Sequence, residues 1–202
     1  MAVSSIESVP KKKTGKEQKI PKHLIYEVVD GQPIYYRGYQ DVLNETKTFE
    51  EIMGDSTLQA WLKAHISILI GALLMEKGYE ITAGEQGLNL PNKVKRGADI
   101  AIFKEENFVL NEHYANLPPE IIIEIDIKAD TSKQSDLDYI HKKIEDYLKF
   151  GAKKVIWIFT HTEKVMIATS QKPWMTDDWN IDIEVIEGVD FNLEQLVEKR
   201  RK

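Results

Sequence analysis

The 202-residue chain contains no cysteine, so disulfide bonds and thiolate metal sites are excluded, and the composition suits a reducing cytoplasm. Only five histidines are present, and no two have the spacing that places metal ligands on one helix face, so we do not expect a zinc site. The first residues include no apolar run of the length found in secretory signals. The most hydrophobic segment, residues 58–75, contains Lys63 and His65, which leaves its uninterrupted apolar part too short for a bilayer. A soluble, cytoplasmic protein without a membrane segment is therefore predicted.

The charge of the chain is unevenly distributed. Residues 1–22 hold six lysines and two glutamates, a net charge of +4, whereas the whole chain carries −6, so the other 180 residues carry −10. A lysine-rich lead is typical of a disordered, solvated tail, and a basic arm that contacts phosphates is the alternative. We therefore predict a disordered tail over residues 1–22 and a single domain over residues 23–202. The acidic charge of this domain argues against tight nucleic-acid binding.

The hydrophobic pattern predicts a mixed α/β fold. Asp30-Gly31 lies between two β-rich runs and indicates an N-terminal hairpin, which an amphipathic helix over residues 58–75 follows. Three strands, a second amphipathic helix over residues 136–150 and the buried strand KVIWIF (154–159) come next, before a β-rich C-terminal extension. This alternation indicates a sheet with helices on its faces. The chain contains no Gly-rich phosphate loop, nucleophile elbow or dinucleotide fingerprint, so those functions are not supported.

Charged side chains occur in two segments that otherwise have the pattern of buried strands. ADIAIF (98–103) contains a single charged residue, Asp99. In EIIIEIDIK (120–128), a strand would place four of the isoleucines on one face, namely Ile121, Ile123, Ile125 and Ile127, and Glu124, Asp126 and Lys128 on the other. If the two strands are neighbours, their carboxylates repel each other unless a cation binds between them or one is protonated. Oxygen ligands without sulfur or imidazole favour Mg²⁺ or Mn²⁺.

An alternative explanation of the second segment is a solvent-exposed sheet face that simply carries surface charges. The two segments taken together favour a functional site instead, because an isolated acid in one apolar strand is followed by acid-x-acid-x-lysine in the next. A lysine beside a metal can orient an attacking water, help to deprotonate it, and stabilise the charge of a phosphorane-like transition state. The pattern therefore predicts phosphodiester hydrolysis.

Asp99 with Asp126-Ile127-Lys128, or with Glu124-Ile125-Asp126 in the same register, resembles the signature of the PD-(D/E)XK nuclease superfamily. The chain also resembles the Uma-type restriction endonuclease family over roughly residues 25–197, because its segments follow the order of that family. These segments are YEVVDGQPI, the helix after GDS (54–56), GADIAIF, PPEIIIEIDIKAD, HKKIEDYLKFGAKK and VIWIF. The resemblance implies a restriction-endonuclease-like core (helix, three strands, helix, strand) with a metal site on the central sheet.

Carried over from this resemblance, Asp99 is expected to be the first metal-binding acid and Glu124 the acid of the motif. The sequence departs from the superfamily pattern at two positions. Ala98 stands where the signature has proline, and Asp126 takes the place of the motif lysine if Glu124 is the motif acid. The second departure puts the source of the amine in question.

Two sources of the amine are open. In the first, which we rank higher, Asp126 is the motif acid and Lys128 its lysine; in the second, the amine comes from Lys143 on the following helix. Glu85, in a turn between the early strands, is a further candidate ligand, although a surface role is the alternative. The predicted catalytic residues are Asp99, Glu124, Asp126, Lys128 and Lys143, and the predicted metal ligands are Asp99, Glu124, Asp126 and Glu85.

The leading functional hypothesis is an Mg²⁺-dependent (or Mn²⁺-dependent) endodeoxyribonuclease whose partner is DNA. The alternative is a catalytically silent module of the same fold that binds nucleic acid or protein. A third hypothesis is a structural or oligomerisation module, in which Trp174 and Trp179 of KPWMTDDW serve an interface. A homodimer would supply the two symmetric sites that cutting both strands of a duplex requires.

Overall fold

A computed structural model describes residues 20–132, 135–198 and 200. The predicted lysine-rich tail, residues 1–22, lies outside the described residues except for its last three. Within the described residues, helices and strands follow one another in this order: β1 (Ile25–Val29), β2 (Gln32–Tyr35), α1 (Tyr39–Leu43), α2 (Phe49–Met53), α3 (Thr57–Glu76), β3 (Tyr79–Leu90), β4 (Val94–Lys104), β5 (Ile121–Ile125), α4 (Asp136–Phe150), β6 (Lys154–Phe159), β7 (Lys164–Thr169), β8 (Met175–Asp178), β9 (Ile183–Ile186), β10 (Val189–Phe191) and α5 (Leu193–Glu198).

One eight-stranded mixed sheet organises the fold. Its strands lie in the order β2-β1-β4-β5-β6-β7-β8, and β3 pairs with β4 outside this path. Strand β5 runs antiparallel to β4 and parallel to β6, while β9 and β10 form a separate hairpin. The predicted order of helix, three strands, helix and strand corresponds to α3, β3 to β5, α4 and β6. The predicted mixed α/β fold is thus confirmed, including the hairpin β1–β2 and the β-rich C-terminal part.

Helices α3 and α4 cover opposite faces of the sheet. A capping box at Ser56 precedes helix α3. Ser135 is the N-cap of α4, and its hydroxyl accepts a hydrogen bond from the backbone N–H of Asp138. The buried residues of α3 share one core with three isoleucines of β5; these residues are Leu62, Ile66, Ile70, Leu74, Ile121, Ile123 and Ile125. The buried residues of α4 share the other core with β5 and β6; these are Ile140, Ile144, Tyr147, Ile122 and Trp157. Side chains that alternate along β5 therefore face α3 and α4 in turn.

The strand predicted over residues 121–128 is shorter than its isoleucine pattern suggests. Strand β5 ends at Ile125, and Asp126 adopts a left-handed conformation with φ 59°, which interrupts the alternation of side chains. Ile127 consequently packs against the core on the α4 side. The prediction that all four isoleucines share one face is therefore wrong for Ile127.

Helix α3 is apolar on both sides. By length and composition alone it would be able to cross a bilayer, and 33% of its apolar stretch is buried inside the protein. Packing on the sheet accounts for the apolar residues of its inner side. Its outer side exposes four large apolar side chains, which we call the α3 apolar surface: Ile68, Leu69, Leu73 and Met75.

Candidate active site

The two carboxylates that the sequence pattern singled out lie on neighbouring strands. Strands β4 and β5 pair Ile100 with Ile123, and the same register continued by one residue sets Asp99 opposite Glu124. Both residues are buried, with 4% and 2% of their whole-residue surface exposed. One oxygen of Asp99, Oδ2, accepts a hydrogen bond of 2.7 Å from the backbone N–H of Ile125. The antiparallel pairing of β4 and β5 therefore brings the predicted acids together.

Helix α4 brings an amine and a phenol to Glu124. Lys143 and Tyr147 lie four residues apart and therefore on one helix face. The Nζ of Lys143 lies 3.2 Å from Oε2 of Glu124, and the hydroxyl of Tyr147 donates a 2.6 Å hydrogen bond to Oε1. The amine that reaches Glu124 is thus the one on the helix.

Two residues that were not predicted from the sequence hold Lys143 in place, Glu27 by direct contact and Arg96 through Glu27. Oε1 of Glu27 lies 3.0 Å from Nζ of Lys143, and Oε2 lies 2.6 Å from the guanidinium of Arg96. Arg96 is held in turn by Asp146 at 2.6 Å. The signal was available, because Glu27 is an acid in an apolar strand just as Asp99 is. We call Glu27, Arg96, Glu124, Lys143 and Tyr147 the Glu124 cluster.

A second group of charges surrounds Asp99 on the α3 side. The Nζ of Lys63, on α3, lies 2.6 Å from Asp99, 2.8 Å from Asp55 and 3.7 Å from Glu85. Lys128 lies 2.5 Å from Asp55 and 2.7 Å from Glu85. Asp55 and Lys63 were not identified from the sequence, although a charge inside the apolar pattern of α3 was a signal. We call Asp55, Lys63, Glu85, Asp99 and Lys128 the Lys63 cluster.

Asp126 has a different environment from the other predicted site residues. Its carboxylate accepts hydrogen bonds from the backbone N–H and the hydroxyl of Thr160, at 2.8 Å and 2.6 Å, and from the side-chain amide of Gln59 at 3.1 Å. Its backbone carbonyl accepts a hydrogen bond from the indole of Trp157. The residue at the place of the motif lysine therefore anchors the end of β5 to β6 and α3.

Glu85 reaches the Lys63 cluster from an irregular part of β3. The register between β3 and β4 shifts between Ala83 and Gln86, and Glu85 has a φ of 64°. Its Oε2 would lie 3.0 Å from a Cβ placed on Gly97, so the glycine leaves room for this carboxylate. The bulge thus directs the predicted ligand Glu85 towards Lys128 and Lys63.

Burial and neighbouring charges shift the pKa values of Glu124, Lys143 and Asp99. Burial raises the pKa of Glu124 to about 8, the charge of Asp99 adds to this effect, and Lys143 opposes it. Burial by itself would lower the pKa of Lys143, but Glu124 and Glu27 raise it well above its ordinary value. Burial likewise raises the pKa of Asp99, with Glu85 adding to the effect and Lys63 opposing it. The site therefore combines a lysine that stays protonated with two acids that burial makes harder to ionise.

The residues present fit a small divalent cation. Asp99 and Glu124 offer only oxygen, and an ion beside them would offset the burial that disfavours their ionised forms. Within residues 20–132, 135–198 and 200, no three acidic or histidine side chains converge as a complete metal cage. Mg²⁺ typically needs no such cage, because it binds through one or two carboxylates, waters and substrate phosphates.

The two tryptophans predicted to serve an interface differ in burial. Trp179 is buried, and its indole N–H donates a hydrogen bond to the carbonyl of Lys164. Trp174 is half-buried and packs edge-on against His141. Both residues thus have intramolecular roles in packing the C-terminal part of the chain.

Comparison with known proteins identifies the family to which this chain belongs. A family model named Uma2 and described as "Putative restriction endonuclease" matches residues 46–194. The fold is similar to that of a solved "putative nuclease belonging to DUF820 from Anabaena variabilis ATCC 29413", with a TM-score of 0.60 and 15% sequence identity. That similarity covers 85% of this chain and 89% of the other, and at this identity it concerns the fold alone. No curated protein matches the chain. Because the family model spans well over half of its residues, the chain belongs to the Uma2 family of restriction-endonuclease-like proteins.

Proposed function

We propose that this protein is a divalent-metal-dependent endonuclease that hydrolyses phosphodiester bonds of DNA. Membership of a family described as "Putative restriction endonuclease" supports a nuclease function in general. The observation that carries the specific proposal is the placement of Asp99 and Glu124 on adjacent strands, where Asp99 accepts a hydrogen bond from the residue after Glu124 and the ammonium of Lys143 lies 3.2 Å from Glu124. These are the two acids and the amine that the chemistry needs.

Asp99 and Glu124 are the residues that would hold Mg²⁺ or Mn²⁺. When bound, the ion would polarise the phosphate and lower the pKa of the attacking water. Glu85 is the next candidate ligand, because it shares Lys63 with Asp99. Asp126 is a weaker candidate, since three hydrogen bonds direct its carboxylate towards Thr160 and Gln59.

Lys143 supplies positive charge. Its pKa is raised by Glu124 and Glu27, so it is protonated at neutral pH and cannot accept a proton from water. An ammonium fixed between Glu27 and Glu124 can instead donate hydrogen bonds and stabilise charge that develops on the phosphate oxygens. Tyr147 holds the other oxygen of Glu124 and so fixes the orientation of that carboxylate.

A cleavage assay tests this proposal directly. Supercoiled plasmid and short single- and double-stranded DNA are incubated with the protein in Mg²⁺, in Mn²⁺ and in EDTA. We expect internal cleavage with at least one of the two metals and none in EDTA. An Asp99→Asn, Glu124→Gln double variant, purified in the same way, controls for contaminating nucleases. Equal cleavage by the wild type and this variant, or no cleavage with either metal, contradicts the proposal.

One observation favours the second candidate function, a catalytically silent module that binds nucleic acid or protein. The ammonium of Lys63 lies among Asp55, Asp99 and Glu85. It therefore already neutralises carboxylates that would otherwise be free to bind a metal. The aspartate at position 126 points the same way, because it replaces the motif lysine. DNA binding that persists without cleavage under every metal condition would support this function instead.

We propose in addition that the protein works in the cytoplasm as a homodimer. The α3 apolar surface is a candidate interface, because exposed apolar patches on soluble proteins commonly mark interaction sites. Analytical ultracentrifugation of the wild type and an Ile68→Glu variant tests the dimer. We expect a two-fold larger mass for the wild type than for the variant, and a monomeric wild type contradicts the proposal.

A further inference from the structure

A groove next to the Lys63 cluster has a composition that the proposed hydrolysis does not explain. Its volume is about 320 Å³, and Glu85 of the Lys63 cluster is one of its lining residues. Three tyrosines and two lysines form much of the remaining lining. We call it the tyrosine groove and define it by Lys22, Tyr26, Tyr36, Glu85, Lys95 and Tyr114. A concave site of this size with aromatic walls is typical of a pocket that holds a small planar group.

Tyr114 forms a fixed, accessible wall of the groove. Its ring lies directly on the backbone of Gly87, so closely that a Cβ at position 87 would lie 2.5 Å from the ring. Two backbone hydrogen bonds of 2.9 Å attach the neighbouring Ala115 to β3, one from its N–H to the carbonyl of Gly87 and one to its carbonyl from Asn89. Tyr114 is nevertheless 51% exposed. The ring is therefore held in place while much of its surface stays free for stacking.

Tyr36 and Tyr26 connect the groove to the Glu124 cluster. The ring of Tyr36 packs edge-on against Tyr26, with ring centroids 5.0 Å apart. The ring of Tyr26 lies 5.5 Å from the ammonium of Lys143. In the described part of the chain, the hydroxyls of Tyr36 and Tyr114 have no hydrogen-bond partner, so both are available to a ligand.

The lining of the groove includes two lysines that no carboxylate of the described residues neutralises. Lys22 and Lys95 are exposed, and neither forms an ion pair with any described residue. Lys95 lies over the Tyr114 ring, 5.7 Å from its centroid. The carboxylates of the lining differ, because Glu27 is paired with Arg96 and Glu85 with Lys128. The groove thus combines stacking surfaces with free ammonium groups, the pairing by which proteins bind single-stranded nucleic acid.

We propose that the tyrosine groove binds one unpaired nucleobase, with Tyr114 stacked on the base and Lys22 and Lys95 on the flanking phosphates. The substrate class is then single-stranded or locally unpaired DNA, and the base is held beside the acids that act on its backbone. This inference rests on the proposed nuclease function, since it names the substrate of the same site. Binding to the groove does not itself require hydrolysis.

Fluorescence anisotropy in EDTA separates the two proposals, because DNA can bind under this condition while metal-dependent cleavage cannot proceed. A labelled single strand and the duplex of the same sequence are each titrated with the full-length protein. We expect tighter binding of the single strand, which Tyr114→Ala weakens about 5- to 150-fold, the range for loss of one base–aromatic stack. Tyr114→Phe should keep most of the affinity because it keeps the ring. Leu110→Ala is the matched control, since Leu110 lies on the same loop and is 89% exposed.

Gly87→Ala provides a second test of the groove, in which the Tyr114 side chain is still present. The added methyl group would displace the ring from its support, so this variant should also weaken binding of the single strand. Equal affinity of the wild type, Tyr114→Ala and Gly87→Ala for the single strand would overturn the groove assignment, as would a wild type that prefers the duplex. Loss of binding in these variants alongside an absence of cleavage in any metal would overturn the proposed hydrolysis and leave the groove supported.

Discussion

The Glu124 cluster and the Lys63 cluster are both built from lysines and carboxylates, yet they differ in their access to solvent. In the first, the side chains of Glu27 and Lys143 are each 1% exposed and that of Glu124 is 3% exposed. In the second, the exposed fraction rises from 5% for Asp99 and 7% for Lys63 to 20% for Asp55 and 33% for Glu85. We infer that the closed cluster fixes charge in position, whereas a cation or a phosphate enters through the open one. Substitutions within each cluster test this division of roles.

Arg96→Ala should have the largest effect on stability. The guanidinium of Arg96 neutralises Glu27 in the closed cluster and the neighbouring Asp146. Its removal takes one ion-pair partner from each of these buried carboxylates and leaves Glu27 beside Lys143 and Asp146 beside Lys142. Breaking such a buried pair costs about 3–5 kcal/mol in the free energy of unfolding. Urea denaturation of both proteins at pH 7 measures the change. Lys164→Ala is the control, because its ion pair with Asp178 is exposed on both sides. Similar losses for the two variants would contradict the difference between closed and exposed pairs.

The pH dependence of stability should depend on Glu124. Its pKa is about 8 in the folded protein and near 4.5 in the unfolded chain, so between these values the folded protein retains a proton that the unfolded chain has released. This group therefore makes the free energy of unfolding fall as pH rises from 4.5 to 8, by up to about 1.4 kcal/mol per pH unit. Glu124→Gln should flatten the decline. Urea midpoints measured across this range test it, and an identical decline in both proteins would contradict the assignment.

Much of this arrangement follows from the sequence, because sequential strands with alternating side chains commonly pair. The meeting of Asp99 and Glu124 required only that β4 and β5 be neighbours. The position of Asp126 was not predictable, since a single left-handed residue ends the alternation and no glycine or proline marks it. The partners Glu27 and Lys63 come from distant elements, so their contacts depend on how β1 and α3 pack on the sheet. A charged residue within an apolar pattern was the one local signal they gave.

Glu124→Gln should lower metal-dependent cleavage more than Asp126→Asn does. Glu124 lies opposite Asp99, whereas the carboxylate of Asp126 is directed to Thr160 and Gln59. The loss of one group that acts on developing charge typically costs about 10²–10³ in rate. We expect a loss of this size for Glu124→Gln and a change within about tenfold for Asp126→Asn, measured as the initial rate of plasmid nicking. A reversed order would return Asp126 to the role of the motif acid.

A comparison of Lys143→Met and Lys128→Met separates the two clusters by function. The sequence ranked Lys128 first, but the contacts favour Lys143, whose ammonium lies 3.2 Å from Glu124 while Lys128 contacts Asp55 and Glu85. We expect Lys143→Met to lower the maximal cleavage rate about 10²-fold. Lys128→Met should mainly raise the substrate concentration needed for half-maximal rate, because it lies in the open cluster. Circular dichroism verifies that both variants fold. If Lys128→Met alone abolishes cleavage, the original ranking is correct.

Ser56→Ala should have the smallest effect on stability and cleavage, because it affects the Lys63 cluster only through the start of α3. The hydroxyl of Ser56 accepts a hydrogen bond from the backbone N–H of Gln59, and the side chain of Gln59 accepts one from the backbone N–H of Ser56. This capping box begins α3, the helix that carries Lys63 to Asp99. Removing an N-cap hydroxyl costs about 1 kcal/mol. The core between α3 and the sheet is otherwise unchanged, so we expect a small shift of the urea midpoint with a cleavage rate close to that of the wild type.

Thr48→Ala, which removes the equivalent cap of α2, is the matched control. A large loss of cleavage in Ser56→Ala but not in Thr48→Ala would mean that the start of α3 itself sets the geometry of Lys63 and Asp99.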